Sequence, residues 1–175
     1  MLADPRQSVV VILNPDWARA GGQEEDADRE NFPLLEAGCR LLGVTPLVLG
    51  DCKPQTSASG MGQVFQMIPL DGNVPWKDER FVQRIAQDDF RFLYLAGAWL
   101  EEDVLMTALE GAARGYDIRL LSDLSAARRE AERRPTFDRL VLHGMLVTTV
   151  RQTLLEWAVC LGDSGLIQEI RQLLK

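Results

Sequence analysis

The stretch from Arg91 to Thr107, RFLYLAGAWLEEDVLMT, constrains this chain more than any other. An apolar run, Phe92 to Ala96, stops at Gly97, and a helical period follows from Glu101, with Leu105, Ala108, Leu109 and Ala112 on one face. Open α/β sheets carry their sites on such a strand, glycine turn and helix, because the helix start presents unpaired N–H groups at the carboxyl edge of the sheet. Here three acids, Glu101, Glu102 and Asp103, fill the first helical turn and themselves complement the helix dipole.

A second apolar run, SVVVIL from Ser8 to Leu13, reads as a central parallel strand buried on both faces. Shorter strands are expected at Pro46–Gly50, Val64–Ile68, Asp117–Leu121 and Met145–Thr149. Between them lie helical patterns. One runs from Arg29 to Gly43, with Phe32, Leu35, Cys39 and Leu42 inward and Pro33 in its first turn. Others are Asp78–Ala86, Glu101–Gly115, and a helix with Pro135 at its first position that stops at Gly144. Arg151–Leu161 and Leu166–Leu174 close the chain. Alternating strands and helices imply right-handed crossovers and a parallel sheet covered on both faces. With 175 residues, one domain over 1–175 with a sizeable core is expected.

The net charge of −7 argues against nucleic-acid or anionic-membrane binding, since both need basic patches. The one arginine cluster, Arg128, Arg129, Arg133 and Arg134, is broken by Glu130 and Glu132 and reads as a solvated helix face or loop with i,i+4 pairs. MLADPRQS lacks the apolar core of a secretory leader, and no apolar run approaches the roughly 20 residues that span a bilayer. Cys39, Cys52 and Cys160 are odd in number and widely spaced, which disfavours a disulfide framework and fits a cytoplasmic location. A single histidine, His143, disfavours His-rich metal sites; it sits at a helix end, where its bland role is to complement the dipole. Cys39 and Cys160 read as core residues, and Cys52 follows a strand end with no base beside it. Asp16, Glu101, Glu102 and Asp103 could share a divalent cation, yet adjacent acids diverge on a helix, so neither metal nor other cofactor is expected.

The segment LYLAGAWLEEDVLMTALEGAARGYDIRLLSDLSA resembles the isochorismatase-like cysteine hydrolases, which include nicotinamidases and N-carbamoyl amidohydrolases, with Gly97, Val104, Thr107, Ala108, Gly115 and Tyr116 in register. VVVILNPDW stands where that family has its first strand, and FDRLVLHGMLVTT where it has its closing helix, glycine and strand. The resemblance implies a three-layer α/β/α fold, a six-stranded parallel sheet of order 3-2-1-4-5-6, and a homodimer or higher oligomer. It also implies a triad of Asp, Lys and Cys, in which the thiolate attacks, the Asp is the base and the Lys holds their charge. In this chain the nucleophile position falls on Asp103 and the base position on Ile12, while the Lys position falls on Leu70, with Lys77 as the substitute nearby. Glu101 matches the acid before the nucleophile, and Asp16 a second acid outside the triad. The family's frequent cis peptide maps to Ala98–Trp99. Ile12, Asn14, Leu70, Trp76, Ala98 and Trp99 are expected to line what remains of the pocket, with Trp99, Ile12 and Leu70 making it apolar.

The favoured reading is a catalytically inactive relative that acts by binding, as a structural or regulatory oligomer with a possible protein partner. The alternative is a hydrolase of altered chemistry, using Asp103, Glu101 and Asp16 on a small amide or related substrate, with or without a metal. A third course would use Cys52 or Lys77.

Overall fold

β1 (Ser8–Leu13) forms the middle of the molecule, and all of its side chains are buried. The computed structural model describes residues 2–15, 26–50, 65–69 and 74–175, with backbone alone over 26–30. After β1 come α1 (Asp26–Leu42), β2 (Leu47–Leu49), β3 (Gln66–Ile68), α2 (Glu79–Gln87), β4 (Phe92–Ala98) and α3 (Leu105–Ala113). β5 (Asp117–Ala126), α4 (Glu130–Leu142), β6 (Leu146–Thr148), α5 (Val150–Leu161) and α6 (Ser164–Leu173) follow. The strands are parallel, in the expected order β3-β2-β1-β4-β5-β6. The chain winds outward from β1 in one direction and from β4 in the other, so the crevice at a reversal of strand order opens between the carboxyl ends of these two strands.

Alternation along each strand divides the core. Val10, Ile12, Tyr94 and Ala96 pack against Phe32, Leu35 and Cys39 of α1 and Leu154 and Trp157 of α5. Val9, Val11, Leu13, Leu93 and Leu95 pack against Phe81 and Ile85 of α2, Leu105 and Ala108 of α3, and Leu140 of α4. Cys39 is fully buried, and burial pushes its thiol up to about 12, as befits a core residue. At the other end of the strands, Arg119 of β5 is buried and donates from Nη1 to both carboxylate oxygens of Glu156 in α5, at 2.8 and 3.0 Å. The Ala3 N–H reaches the same carboxylate at 2.8 Å, so this pair ties the N-terminal segment to sheet and helix. Among the described residues no helix is long and apolar enough to cross a membrane.

Some boundaries differ from expectation. α1 begins at Asp26 and α4 at Glu130, which places Pro33 and Pro135 inside their helices rather than in the first turn. For α4 the earlier start puts Glu130 and Glu132 at the positive end of the dipole. β5 runs on through the polar Ser122–Ala126, because those polar groups bond to backbone. Ser125 Oγ donates to the Leu121 carbonyl at 2.8 Å, Ser122 Oγ to that of Thr148 at 3.0 Å, and the Asp123 carboxylate receives the Val150 N–H at 3.1 Å.

Candidate functional site

β4 ends in the crevice, and its last residues are shaped by one close approach. Gly97 has φ +111°, and a Cβ there would lie 1.9 Å from the Leu13 carbonyl oxygen of β1, so only glycine lets the two strand ends meet. The Ala98–Trp99 peptide is cis. The helix expected from Glu101 instead opens as a wide π turn, Leu100–Val104, before α3 proper. The Trp99 carbonyl accepts the N–H groups of Glu102 and Val104 at 3.1 and 3.2 Å. The wider turn buries Leu100, Asp103 and Val104 and leaves Glu102 outside.

Asp103, where the resemblance leads one to expect the nucleophile, is 9 % exposed. Its partner comes from the end of β1, where Asn14 adopts φ +44°. Asn14 Nδ2 donates to Asp103 Oδ2 at 3.0 Å and to the Ala98 carbonyl at 3.1 Å, binding β1, β4 and the π turn together. Burial, then the charge of Glu102, pushes the Asp103 carboxyl up; the Asn14 hydrogen bond and the charge of Arg128 pull the other way without prevailing. The Asp103 carbonyl accepts from Thr107 Oγ1 at 2.7 Å, which anchors the turn to α3.

The other two acids turn away. Glu102 takes a two-point contact from Arg128, with Nε to Oε1 at 2.8 Å and Nη2 to Oε2 at 3.0 Å, and this hydrogen-bonded cation holds its carboxyl below the usual range. Glu101 Oε1 accepts the Arg129 N–H at 3.0 Å. The Arg128 guanidinium also stacks 4.9 Å over the Trp99 ring. Arg133 completes the clamp by donating to the Ser122 and Ser125 carbonyls. The arginine cluster is therefore no mere solvated face: besides the local Arg129–Glu132 pair, it fastens the β5–α4 connection to the acidic helix start. Sequence reasoning missed this contact because Arg128 lies far along the chain from Glu102.

The expected site residues thus fall into groups. Asn14, Ala98, Trp99 and Asp103 meet at the crevice, whereas Glu101 turns from it to the β5–α4 connection. Ile12 is fully buried on the α1–α5 face, among core side chains, and offers no polar atom to Asp103. Trp76 lies further along α3, its indole N–H donating to the Thr107 carbonyl at 2.9 Å and its ring stacked on Tyr116 at 5.6 Å. That position makes Trp76 a packing residue of the α2–α3 face rather than a wall of the Asn14–Asp103 site. Lys77 is exposed on the adjoining 3-10 turn, Pro75–Lys77. Asp16, Leu70 and Cys52 lie outside the described residues. Among the described residues no three acids, cysteines or histidines converge as a metal site, since Glu101, Glu102 and Asp103 point to three different partners.

Residues 73–152 match the model of the isochorismatase domain. Isochorismatase domain-containing protein 1 of Salmo salar is 25% identical over 131 residues, which is 70% of this chain and 44% of the relative, so the chain spans less than half the length of that protein. Among solved structures, the ycaC gene product of Escherichia coli, an octameric hydrolase of unknown specificity, superposes with a TM-score of 0.80 at 18% identity over 97% of this chain and 89% of its own. The MAR1 ribonuclease of Caenorhabditis elegans gives 0.80 at 17% identity over 99% and 92%. At such identities the likeness is one of fold.

Proposed function

We propose that this chain, a member of the isochorismatase-like hydrolase family, keeps the shape of the family's active-site turn without its hydrolytic chemistry and works by binding, as a structural or regulatory protein. The observation that carries the reading is the pairing of Asp103 with the Asn14 amide at 3.0 Å. A carboxylate there is a weak nucleophile toward amides and would repel an oxyanion forming at the helix start. Its hydrogen-bond partner is a carboxamide, which cannot take up a proton as a general base does. Ile12, where the resemblance expects the base, sits in the core. Parts of a catalytic unit lose their value together, so replacement of both nucleophile and base supports a chain no longer selected for turnover.

Ligand contact in this reading falls to Asn14, Ala98 and Trp99 around Asp103, with Glu101 bound to the β5–α4 connection. Octamer formation by the Escherichia coli relative supports a homo-oligomer here. A cytoplasmic location belongs to the same proposal, on the three widely spaced cysteines of the sequence, which do not read as a disulfide framework. A second reading, a hydrolase of altered chemistry, draws on the raised pKa of Asp103, the direction that suits an acid catalyst. Purified protein offered simple amides, N-carbamoyl compounds and isochorismate, with and without divalent cations, decides between them. The first reading predicts no release of ammonia or pyruvate above buffer. Turnover that disappears in Asp103→Asn would replace it with the second.

A further inference from the structure

We propose that the crevice at Asp103 takes an N–H-bearing organic cation, of the amidinium or primary ammonium class, which pairs with the open oxygen of that carboxylate. The inference rests on the binding reading above and names the ligand class that reading leaves open. Its starting point is the uneven use of the two Asp103 oxygens. Oδ2 accepts from Asn14 Nδ2 at 3.0 Å, whereas Oδ1 accepts no hydrogen bond among the described residues. Oδ1 is nevertheless in reach of solvent, although the residue as a whole is buried. It is therefore the part of the carboxylate that a ligand can meet, beside the half-buried Asn14 and Trp99.

The neighbouring charges decide what that ligand is. Glu102 has its own cation, the Arg128 guanidinium, at 2.8 Å. Arg129, the next cation along, pairs with Glu132 at 3.2 Å. Arg128 acts on Asp103 only through its field, and Glu101 takes a backbone N–H rather than a cation. Among the described residues, two of the three acids of the π turn thus lack a paired cation, and Asp103 is the more buried of the two. Buried carboxylates are ordinarily paired, because taking an uncompensated charge out of water is costly. An asparagine at this position would keep the shape without that cost. Burial and the charge of Glu102 hold the Asp103 carboxyl above its ordinary value, as expected of a carboxylate short of a countercharge. A cation at Oδ1 supplies the missing charge. A neutral amide offers a donor but leaves the charge uncompensated, and an anion meets Glu101, Glu102 and Asp103 together. The rim already holds one such cation of the chain's own, since Arg128 stacks 4.9 Å over the Trp99 ring while it bonds to Glu102.

Benzamidinium, benzamide and benzoate share one shape and differ in charge, and together they test this. Saturation-transfer difference NMR on the full chain near neutral pH should show benzamidinium binding at least about tenfold more tightly than benzamide, with benzoate weaker still. Asp103→Asn should lose that preference with an unchanged circular dichroism spectrum. If Asp103→Asn fails to fold, the wild type still decides. The Asp103 carboxyl carbon, followed by NMR from pH 3 to 7, should titrate about one pH unit lower with benzamidinium at about ten times its Kd, because the cation favours the ionised form. No preference for the cation, a preference that survives in Asp103→Asn, or a titration that benzamidinium leaves unmoved would overturn the ligand class and leave the binding reading standing. Hydrolysis of benzamide to benzoate in the same samples, lost in Asp103→Asn, would overturn the binding reading itself.

Discussion

Removing the Asn14 side chain should cost more than removing any other exposed or half-buried polar group near the crevice. Asn14→Ala deletes the donor to Asp103 Oδ2 at 3.0 Å and the donor to the Ala98 carbonyl at 3.1 Å. A hydrogen bond to a charged acceptor contributes about 1.5–3 kcal/mol and a neutral one about 1 kcal/mol. The backbone adds a second effect, because φ is +44° here and alanine resists that region by roughly 1 kcal/mol more than asparagine. The sum is about 4 kcal/mol, against about 5–15 kcal/mol for a whole domain. With a urea slope of about 2 kcal/mol per molar, the midpoint should fall by roughly 2 M. Asn14→Gly relieves the backbone effect alone and should recover about 0.5 M of that loss. Urea titration followed by circular dichroism and tryptophan fluorescence, with coincident transitions, measures both. Equal midpoints for wild type and Asn14→Ala would refute the idea that this amide holds β1, β4 and the π turn together.

Further expectations follow from neighbouring groups. Asp103→Asn tests the raised carboxyl. A raised folded pKa gives stability that is full below the unfolded carboxyl value and lost as pH rises through the folded one. The variant should therefore match or exceed wild-type stability at neutral pH and lose that advantage on acidification, in denaturation midpoints measured from pH 3 to 7. Asn14→Asp should do the opposite, setting a second carboxylate 3.0 Å from Asp103, destabilising the fold at neutral pH and regaining midpoint as pH falls. Gly97→Ala drives a Cβ to 1.9 Å from the Leu13 carbonyl, and a loss of at least about 3 kcal/mol, or no soluble protein, is expected; an unchanged melting temperature would contradict the close approach. Arg119→Leu leaves Glu156 without its buried partner and should cost about 3–5 kcal/mol by thermal melting.

The parts of the fold that could be read in advance are those where burial alone sets the pattern. SVVVIL is apolar at nearly every position because both faces are covered, and its limits agree residue for residue with β1. Phe32, Leu35, Cys39 and Leu42 fall on the buried face of α1 as their spacing requires. β5 was harder to bound, since Ser122, Asp123 and Ser125 look like a loop until their backbone partners are known. The π turn has no hydrophobic period of its own, so an ordinary helix start was the natural reading of LEEDV. At the site, the position of Asp103 followed from the resemblance, and so did the cis peptide at Ala98–Trp99. What it bonds to did not: Asn14 reaches it only because φ turns positive after β1. Arg128 likewise escaped notice, its role depending on how the β5–α4 connection folds over the helix start.

Whether Asp103 performs chemistry decides between a binding protein and a hydrolase. Protein in molar excess over each of a panel of amides, N-carbamoyl compounds and isochorismate, sampled over hours by intact-protein and small-molecule mass spectrometry, asks this directly. The prediction is unchanged substrate and an unmodified protein mass, with and without added divalent cations. A product, or a covalent adduct on the chain, that disappears in Asp103→Asn would contradict it.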